Sequence, residues 1–520
     1  MRGRFHCIVA LALLLALPAA ALAQTPSATP HCPVTSADSW SPQEKFVWAQ
    51  ICQDEVADLA KQPRAEGVID PRETPLPDNR VLSKQFIETI LIDEKYHNAL
   101  KRHGVRITGA RFKQQFDLQN VKLEVELWFE HCQFDEGVDL SFLQSSQPVA
   151  FNHSKVTKPL KLYSSQLASD LWVLGSIVDA ITMPGAHIGR TLNLSNVKIA
   201  STDDDTLNMS GIDVTTDVLM DEGVYQAANL AGAHIGHKLS MTKSRFGGEI
   251  NLRYSQIGGE LDWQGATFMD DVDLTAARVD GAFLLGPRPR DPAGSDERCG
   301  RLKVPPASDR PICWGPDVAV TARYAKIGIM PRLSDAWPPD LHIVGLTYDG
   351  IAYDDDIANV RDDFEDWFDR QGQSRQPYEQ LANVLQARGE IETATMVRYA
   401  ERERDRDRAW DESRYDIYGW LTLLKTVIGY GYYPYRSGWW VLGFILLGMG
   451  VLWVSGDGRR NGMPIGASYS FDMLLPLVQL RSKHYDIDLA GWPRYYFYLH
   501  KIVGWALASF LVAGLSGLTK

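Results

Sequence analysis

Between Val105 and Leu285 apolar residues flank a polar or variable one in short triplets: Phe116-Asp117-Leu118, Val138-Asp139-Leu140, Leu160-Lys161-Leu162, Leu192-Asn193-Leu194, Ile250-Asn251-Leu252, Leu261-Asp262-Trp263 and Val272-Asp273-Leu274. Their middle positions fall at 106, 117, 128, 139, 150, 161 and 172, each 11 apart, then at 182 and 193, at 208, 219 and 229, and at 240, 251, 262, 273 and 284, which makes 17 units. The one large slip, 15 residues from 193 to 208, takes up the polar insertion Ser201-Thr202-Asp203-Asp204-Asp205. A second apolar position follows at Phe112, Leu123, Phe134, Val156, Leu167, Ile188, Ile235, Phe246, Ile257, Phe268 and Val279, and small residues such as Ala110, Ala186, Ala233 and Ala266 precede many of these by two.

An alternation three residues long is too short for an ordinary sheet. In a β-helix, however, each short strand pairs with its equivalent one coil away, and the inward residues stack into columns. Eleven is also the period of some helical patterns, but β-branched residues, the pairs Gly247-Gly248 and Gly258-Gly259, and Asn or Asp at corners belong to strands and turns. Two units per four-sided coil of 22 residues would give eight to nine coils from the 17 units, a rod on the order of 40 Å long at about 4.8 Å per coil. A three-sided coil is the alternative. Residues 286–314 lack an apolar period and are expected to project as a loop. Val318-Ala319-Val320, Gly328-Ile329-Met330 and Leu341-His342-Ile343 then continue the rod, so the fold expected is mainly β, a solenoid over 105–345.

Ala228-Asn229-Leu230 matches the unit Ala-Asp/Asn-Leu-x-x, and residues 105–285 resemble the pentapeptide-repeat proteins, although the spacing here is 11 rather than a strict five. The resemblance implies a right-handed quadrilateral β-helix. Some members of that family mimic DNA and inhibit gyrase with strongly acidic rods, a role that the amino terminus of this chain argues against.

That terminus carries Met1-Arg2-Gly3-Arg4, an apolar run from Ile8 to Leu17 and Ala21-Leu22-Ala23, the pattern of a cleaved signal peptide over 1–23, with an uncleaved anchor as the alternative. Residues 24–104 are expected to form a helical cap on the first coil. Ser41 can cap a helix with Pro42 in its first turn, and Phe86, Ile87, Ile90, Leu91, Tyr96 and Leu100 give 84–102 an apolar helical face. After the rod, 346–415 holds a helical hairpin, Pro377 to Gly389 and Glu392 to Arg408, similar to a single tetratricopeptide-type pair. Its sign-alternating stretch Glu401 to Arg408 reads as a solvated helix face.

Residues 416–520 read as an interfacial helix, Trp420 to Tyr430, and two C-terminal transmembrane helices. Trp439 to Val454 reaches 20 residues with Ser437, Gly438, Ser455 and Gly456, enough to span; Ile502 to Leu518 follows the aromatic cluster Tyr495, Tyr496, Phe497 and Tyr498. With the rod outside the cytoplasm, the loop 457–494 would face inward. This arrangement resembles a bacterial group of membrane-associated pentapeptide-repeat proteins, on Ser374 to Leu385, Gly429 to Tyr435 and Ser470 to Leu480 as well as on the repeats. Members are sometimes labelled oxidoreductases or ion-channel-like. Neither a dinucleotide glycine fingerprint nor a redox Cys-x-x-Cys supports the first label here.

The net charge of −12 without a basic cluster argues against nucleic acid as a partner. Of the cysteines beyond the signal, Cys32 with Cys52 and Cys299 with Cys313 are candidate disulfides, and Cys132 reads as a buried free thiol. No close Cys/His spacing suggests a metal ligand set, and no catalytic or cofactor-binding residues stand out. His187 and His234, in the matching segments Gly185 to Gly189 and Gly232 to Gly236, would lie two coils apart, about 10 Å and too far to share an ion, so both read as outward or corner residues. Thr426 to Gly431 has the look of a potassium-channel filter but precedes the first span, where a filter cannot lie. Asp472, within Tyr469 to Val478 between the spans, is costly in lipid unless it meets a pore or a partner.

The reading with most support is a non-enzymatic binding or scaffold protein of the cell envelope: anchored in the bacterial inner membrane, its rod in the periplasm and loop 457–494 in the cytoplasm. Its partners would be the lipid bilayer, another envelope protein or glycan, and further copies of itself, with no cofactor. The alternative is an oligomeric two-span pore for which the rod acts as sensor. An enzyme comes third, because histidines and carboxylates are scattered along the chain.

Overall fold

The computed structural model describes residues 32–62, 67–203, 206–286, 312–331, 337–338, 340–352, 364, 368, 371, 374–463, 465–475 and 480–515. The expected signal peptide 1–23, Cys299 and most of loop 286–314 lie outside the described residues.

Each coil of the rod carries four short strands, for example Leu127–Glu130, Gln133–Phe134, Val138–Asp139 and Gln144–Ser145. Every strand pairs in parallel with its equivalent on the next coil: Val105 with Leu127, Leu127 with Val149, and Val149 with Leu171. Two 11-residue units therefore build one four-sided coil, and the molecule is a mainly-β right-handed solenoid with helical caps. Two faces are separate sheets of 9 and 10 strands; the other two are joined through Arg278–Leu284, which turns a corner without breaking. The polar insertion at 201–205 lengthens a single coil, so that Leu192 still pairs with Val218.

The triplet ends point inward because side chains alternate across a strand. Phe116 and Leu118 are buried while Asp117 between them is not. Like residues then stack coil on coil, as in Tyr225, Phe246, Phe268 and Trp314, whose ring centroids are 5.2, 5.5 and 4.9 Å apart. At the small position the column Cys132, Ser154, Ser176 binds itself: Ser154 Oγ accepts from the Cys132 amide at 3.0 Å, and Ser176 Oγ accepts from the Ser154 amide at 2.9 Å.

Both ends of the rod are closed. At the first coil, strand Ala57–Asp58 pairs with Ile107 and Thr108, and Val81 bridges to Arg111, so main chain covers these edges. Behind it helix Pro42–Ile51 starts on Ser41 with a reciprocal capping box to Glu44. The single helix expected over 84–102 is instead two, Lys84–Ile92 and Glu94–His97, because the Asp93 carboxylate caps a new start by accepting from Lys95 N. Trp40, Trp48, Phe86 and Tyr96 interlock as rings over the coil.

At the far end, strand Thr347–Ile351 pairs with Lys326–Met330, carrying the rod past the expected boundary at 345. Side chains close this coil. Gln371 accepts from Ile343 N at 2.9 Å and donates to Leu341 O at 2.6 Å. Gln376 accepts from Gly345 N at 2.9 Å and donates to Leu346 O at 2.7 Å, while Gln380 and Arg388 donate to the Tyr348 and Ile351 carbonyls. Helices Gln376–Ala387 and Ile391–Asp411 form the expected pair, separated at Gly389, whose φ of +89° suits glycine.

Among the described residues the remaining α-helices are Tyr415–Ile428, Arg436–Ser455, Asp457–Arg460, Ala467–Leu474 and Trp492–Leu515. Among the described residues one helix, Arg436–Ser455, is long and apolar enough to cross a membrane. The expectation of two such spans is corrected. The apolar stretch from Ile502 is the later part of the 24-residue helix Trp492–Leu515, whose first turns bring in Arg494, His500 and Lys501, and 516–518 lie outside the described residues. The helix expected over Trp420 to Tyr430 is Tyr415–Ile428, and it ends at Gly429 in a left-handed turn rather than running on to Tyr430.

Candidate functional site

Asp472 sits on the short helix Ala467–Leu474, wedged between Arg436–Ser455 and Trp492–Leu515. Two glycines let it in: a Cβ on Gly448 would strike Ser470 Oγ, and one on Gly504 would strike the Leu474 carbonyl. Asp472 is 0 % exposed. One carboxylate oxygen accepts from Leu480 N at 2.7 Å; the other accepts from Arg481 N at 3.1 Å and lies 2.6 Å from His484 Nδ1. Tyr485 Oη donates to the Asp472 carbonyl at 3.1 Å. The residue therefore clamps segment 480–485 onto the wedge, with both oxygens engaged.

Beside it Ser470 Oγ donates to Ile445 O at 3.0 Å and lies 3.4 Å from His500 Nε2. A serine next to a histidine invites a nucleophilic reading, but both are fully buried in the helix contact and the hydroxyl proton is already committed. No attacking group is available there.

The motif at Gly429–Gly431 forms the turn between Tyr415–Ile428 and Arg436–Ser455. Tyr430 Oη donates to Glu403 Oε1 at 3.0 Å, and Lys425 Nζ meets Glu403 Oε2 at 2.6 Å. The turn ties helix Tyr415–Ile428 to the hairpin.

Cys32 and Cys52 are joined by a disulfide with Cα atoms 5.4 Å apart. Cys313 is disulfide-bonded too, and its expected partner Cys299 lies outside the described residues. Cys132 is free and buried, and burial pushes its thiol pKa up to about 12. His187 lies on the outer face with Nδ1 2.8 Å from Asp213, the residue that separates it from His234 in the ladder.

The group that brings ligand-type side chains together is elsewhere on the rod. Glu130, His131 and His153 each present one donor atom, all within 4.8 Å of one another. Strands Leu127–Glu130 and Val149–Asn152 pair in register, so His131 and His153 occupy the same corner of adjacent coils with φ of +48° each. Their rings stack 5.3 Å apart, and His153 Nδ1 is 3.6 Å from Glu130 Oε1. Both Nδ1 atoms are shut off from solvent and lack a hydrogen-bond partner. A search for close spacing passes over this group because its histidines are 22 residues apart; the coil length itself was the signal.

No family profile, curated protein or solved structure matches this chain.

Proposed function

We propose that this is a membrane-tethered scaffold of the bacterial envelope, a rigid rod in the periplasm that binds another envelope component and performs no catalysis. The observation that carries the reading is the surface of Arg436–Ser455. Only 22 % of its apolar window is buried, whereas a core helix would be mostly covered; Trp439, Leu446, Leu447, Trp453 and Val454 stand exposed. Helix Trp492–Leu515 packs beside it through Val503, Leu507 and Phe510, and directs Leu499, Ile502, Trp505 and Val512 outward. Its polar residues turn to the protein, where His500 is buried and Lys501 lies over the Tyr485 ring. The Cys32–Cys52 disulfide suits an oxidising compartment. The rod supplies flat, regular faces with few converging polar groups, a surface for docking rather than turnover.

Carbonate-washed membranes are expected to retain the full chain, and protease added to spheroplasts to cut loop 286–314. Recovery in the soluble fraction would remove the tether; protection of the loop would reverse its side. The pore alternative relies on Asp472, whose two oxygens are both engaged, so purified protein reconstituted into vesicles is expected to show no ion flux. Flux abolished by Asp472→Asn would restore the pore.

A further inference from the structure

We infer that the corner formed by Glu130, His131 and His153 is a binding site for a divalent transition ion of the zinc class. Two imidazole nitrogens and one carboxylate oxygen form a ligand set found in three-ligand zinc sites, which leave a coordination position open to solvent. Hard cations such as Ca²⁺ or Mg²⁺ instead demand six or more oxygens and are poorly served by imidazole.

Stacking alone does not account for the corner. Two flat rings one coil apart gain from lying over each other, yet both Nδ1 atoms are then buried with no partner, and an unsatisfied buried polar atom costs about 1–3 kcal/mol. A cation reached by both lone pairs removes that cost. The donors, within 4.8 Å of one another, must close to roughly 3.4 Å for tetrahedral bonds of about 2.1 Å. His153 and Glu130 are already at 3.6 Å. The His153 and Glu130 side chains are 34 % and 40 % exposed, so both are free to tilt.

The column leaves room for this. Glycines stand at the equivalent corner on either side, Gly109 before His131 and Gly175 after His153, both with positive φ. A Cβ on Gly175 would fall 2.7 Å from His153 Cδ2. Two guanidiniums flank the corner: Arg72 donates to Gly175 O at 2.8 Å and is held by Asp70 at 2.6 Å, and Arg80 Nη1 would lie 3.2 Å from a Cβ on Gly109. Asp70 offsets the charge of Arg72, and Glu130 is the carboxylate that faces the histidines. The site stands whichever way the rod is anchored.

The test is titration of the detergent-solubilised full chain with Zn²⁺ by calorimetry and with Co²⁺ by visible absorption. One saturable equivalent per chain is expected, with Co²⁺ bands typical of low coordination number. His131→Ala and His153→Ala are each expected to weaken binding by more than about tenfold, and His187→Ala to leave it unchanged. Glu130→Gln keeps the size of a half-exposed side chain and so tests the site even if a histidine variant folds poorly; it too is expected to weaken binding by about tenfold. Absence of saturable uptake overturns the site, as does unchanged affinity in His153→Ala or Glu130→Gln.

Discussion

The two ends of the rod face the same problem and solve it with different parts of the chain. A terminal coil exposes a row of unpaired N–H and C=O groups, a template for unwanted pairing. At the first coil the protein answers with backbone, strand Ala57–Asp58 and the Val81 bridge, backed by a plug of interlocked rings. At the last coil it answers with side chains, the amides of Gln371, Gln376 and Gln380 and the guanidinium of Arg388. A primary amide carries one acceptor and two donors, like a peptide group, so Gln371 pairs with Ile343 N and Leu341 O as a further coil would. The first solution makes the cap part of the sheet; the second docks a helical unit onto a finished rod.

The N-terminal end should therefore depend most on its ring plug and the C-terminal end on side-chain hydrogen bonds. The largest effect is expected from Trp48→Ala. Trp48 is 1 % exposed, packs edge-on against Trp40 and Tyr96, and donates from Nε1 to Val34 O at 2.9 Å. Removing it should cost about 3–5 kcal/mol. In a solenoid each coil contacts only its neighbours, so hydrogen exchange should accelerate in the first coils and stay unchanged at 319–351. A uniform loss of protection would show that the ends are not independent.

Gln371→Ala comes next. It leaves Ile343 N and Leu341 O unpaired beneath the hairpin, at a cost of about 1–3 kcal/mol. Exchange should rise at 341–351 and not at 105–112. A cost below about 0.5 kcal/mol, within the range of ordinary surface substitutions, would mean that water replaces the amide freely and that the side-chain cap is decorative.

Acid should push the two ends in opposite directions. Burial raises the Glu44 carboxyl, but hydrogen bonds from the Ser83 side chain and from the Ser41 and Ser83 backbone outweigh it and hold the pKa below the usual 4.5. Its contribution is full above the unfolded value and disappears as pH falls through the lower folded value. Glu401, at the other end, has its pKa raised, first by burial and then by Asp405 and Glu379, with Arg402 and Arg375 opposing. Its folded state therefore gains protons more readily than the unfolded chain, and stability at this end should rise as pH falls through the raised value toward 4.5. Glu44→Gln should destabilise near neutrality while Glu401→Gln should not; the exchange profile from pH 7 to pH 4 checks both signs.

The same contrast decides what could be read in the sequence. The coil was legible because every inward residue obeys one alternation and every coil repeats it, and the N-terminal helix start was legible because Ser41, Pro42 and Glu44 are neighbours. Gln371 reaches residues 28 and 30 positions away through its side chain, a contact that leaves no period. Asp472 could be flagged as costly, but its donors at Leu480, Arg481 and His484 become partners only when the loop folds back. The histidine corner lies between these cases. Its spacing equals the coil length, yet attention to matching local sequence led to His187 and His234, which Asp213 keeps apart in the ladder. Of the two expected spans one is found among the described residues; the other expected window runs past Leu515, and the helix it belongs to starts at Trp492 and includes Arg494, His500 and Lys501.

The smallest effect is expected at Cys132, and that makes it the sharpest probe of the comparison. Its neighbour in the column, Ser154, already fits a hydroxyl at this position, donating to Asn152 O at 2.8 Å; Cys132 Sγ makes the equivalent contact to Glu130 O at 3.3 Å. Cys132→Ser should thus fall within about 1 kcal/mol of the native stability. The native thiol, wholly buried and with its pKa pushed up to about 12, should resist alkylation until the coil opens. Because Cys132 lies in the second coil, its alkylation rate reports opening from the N-terminal end. Trp48→Ala should raise that rate steeply and Gln371→Ala should leave it alone. Equal acceleration by both would mean that the rod opens as one cooperative body, and that the two kinds of cap guard a single transition rather than two separate edges.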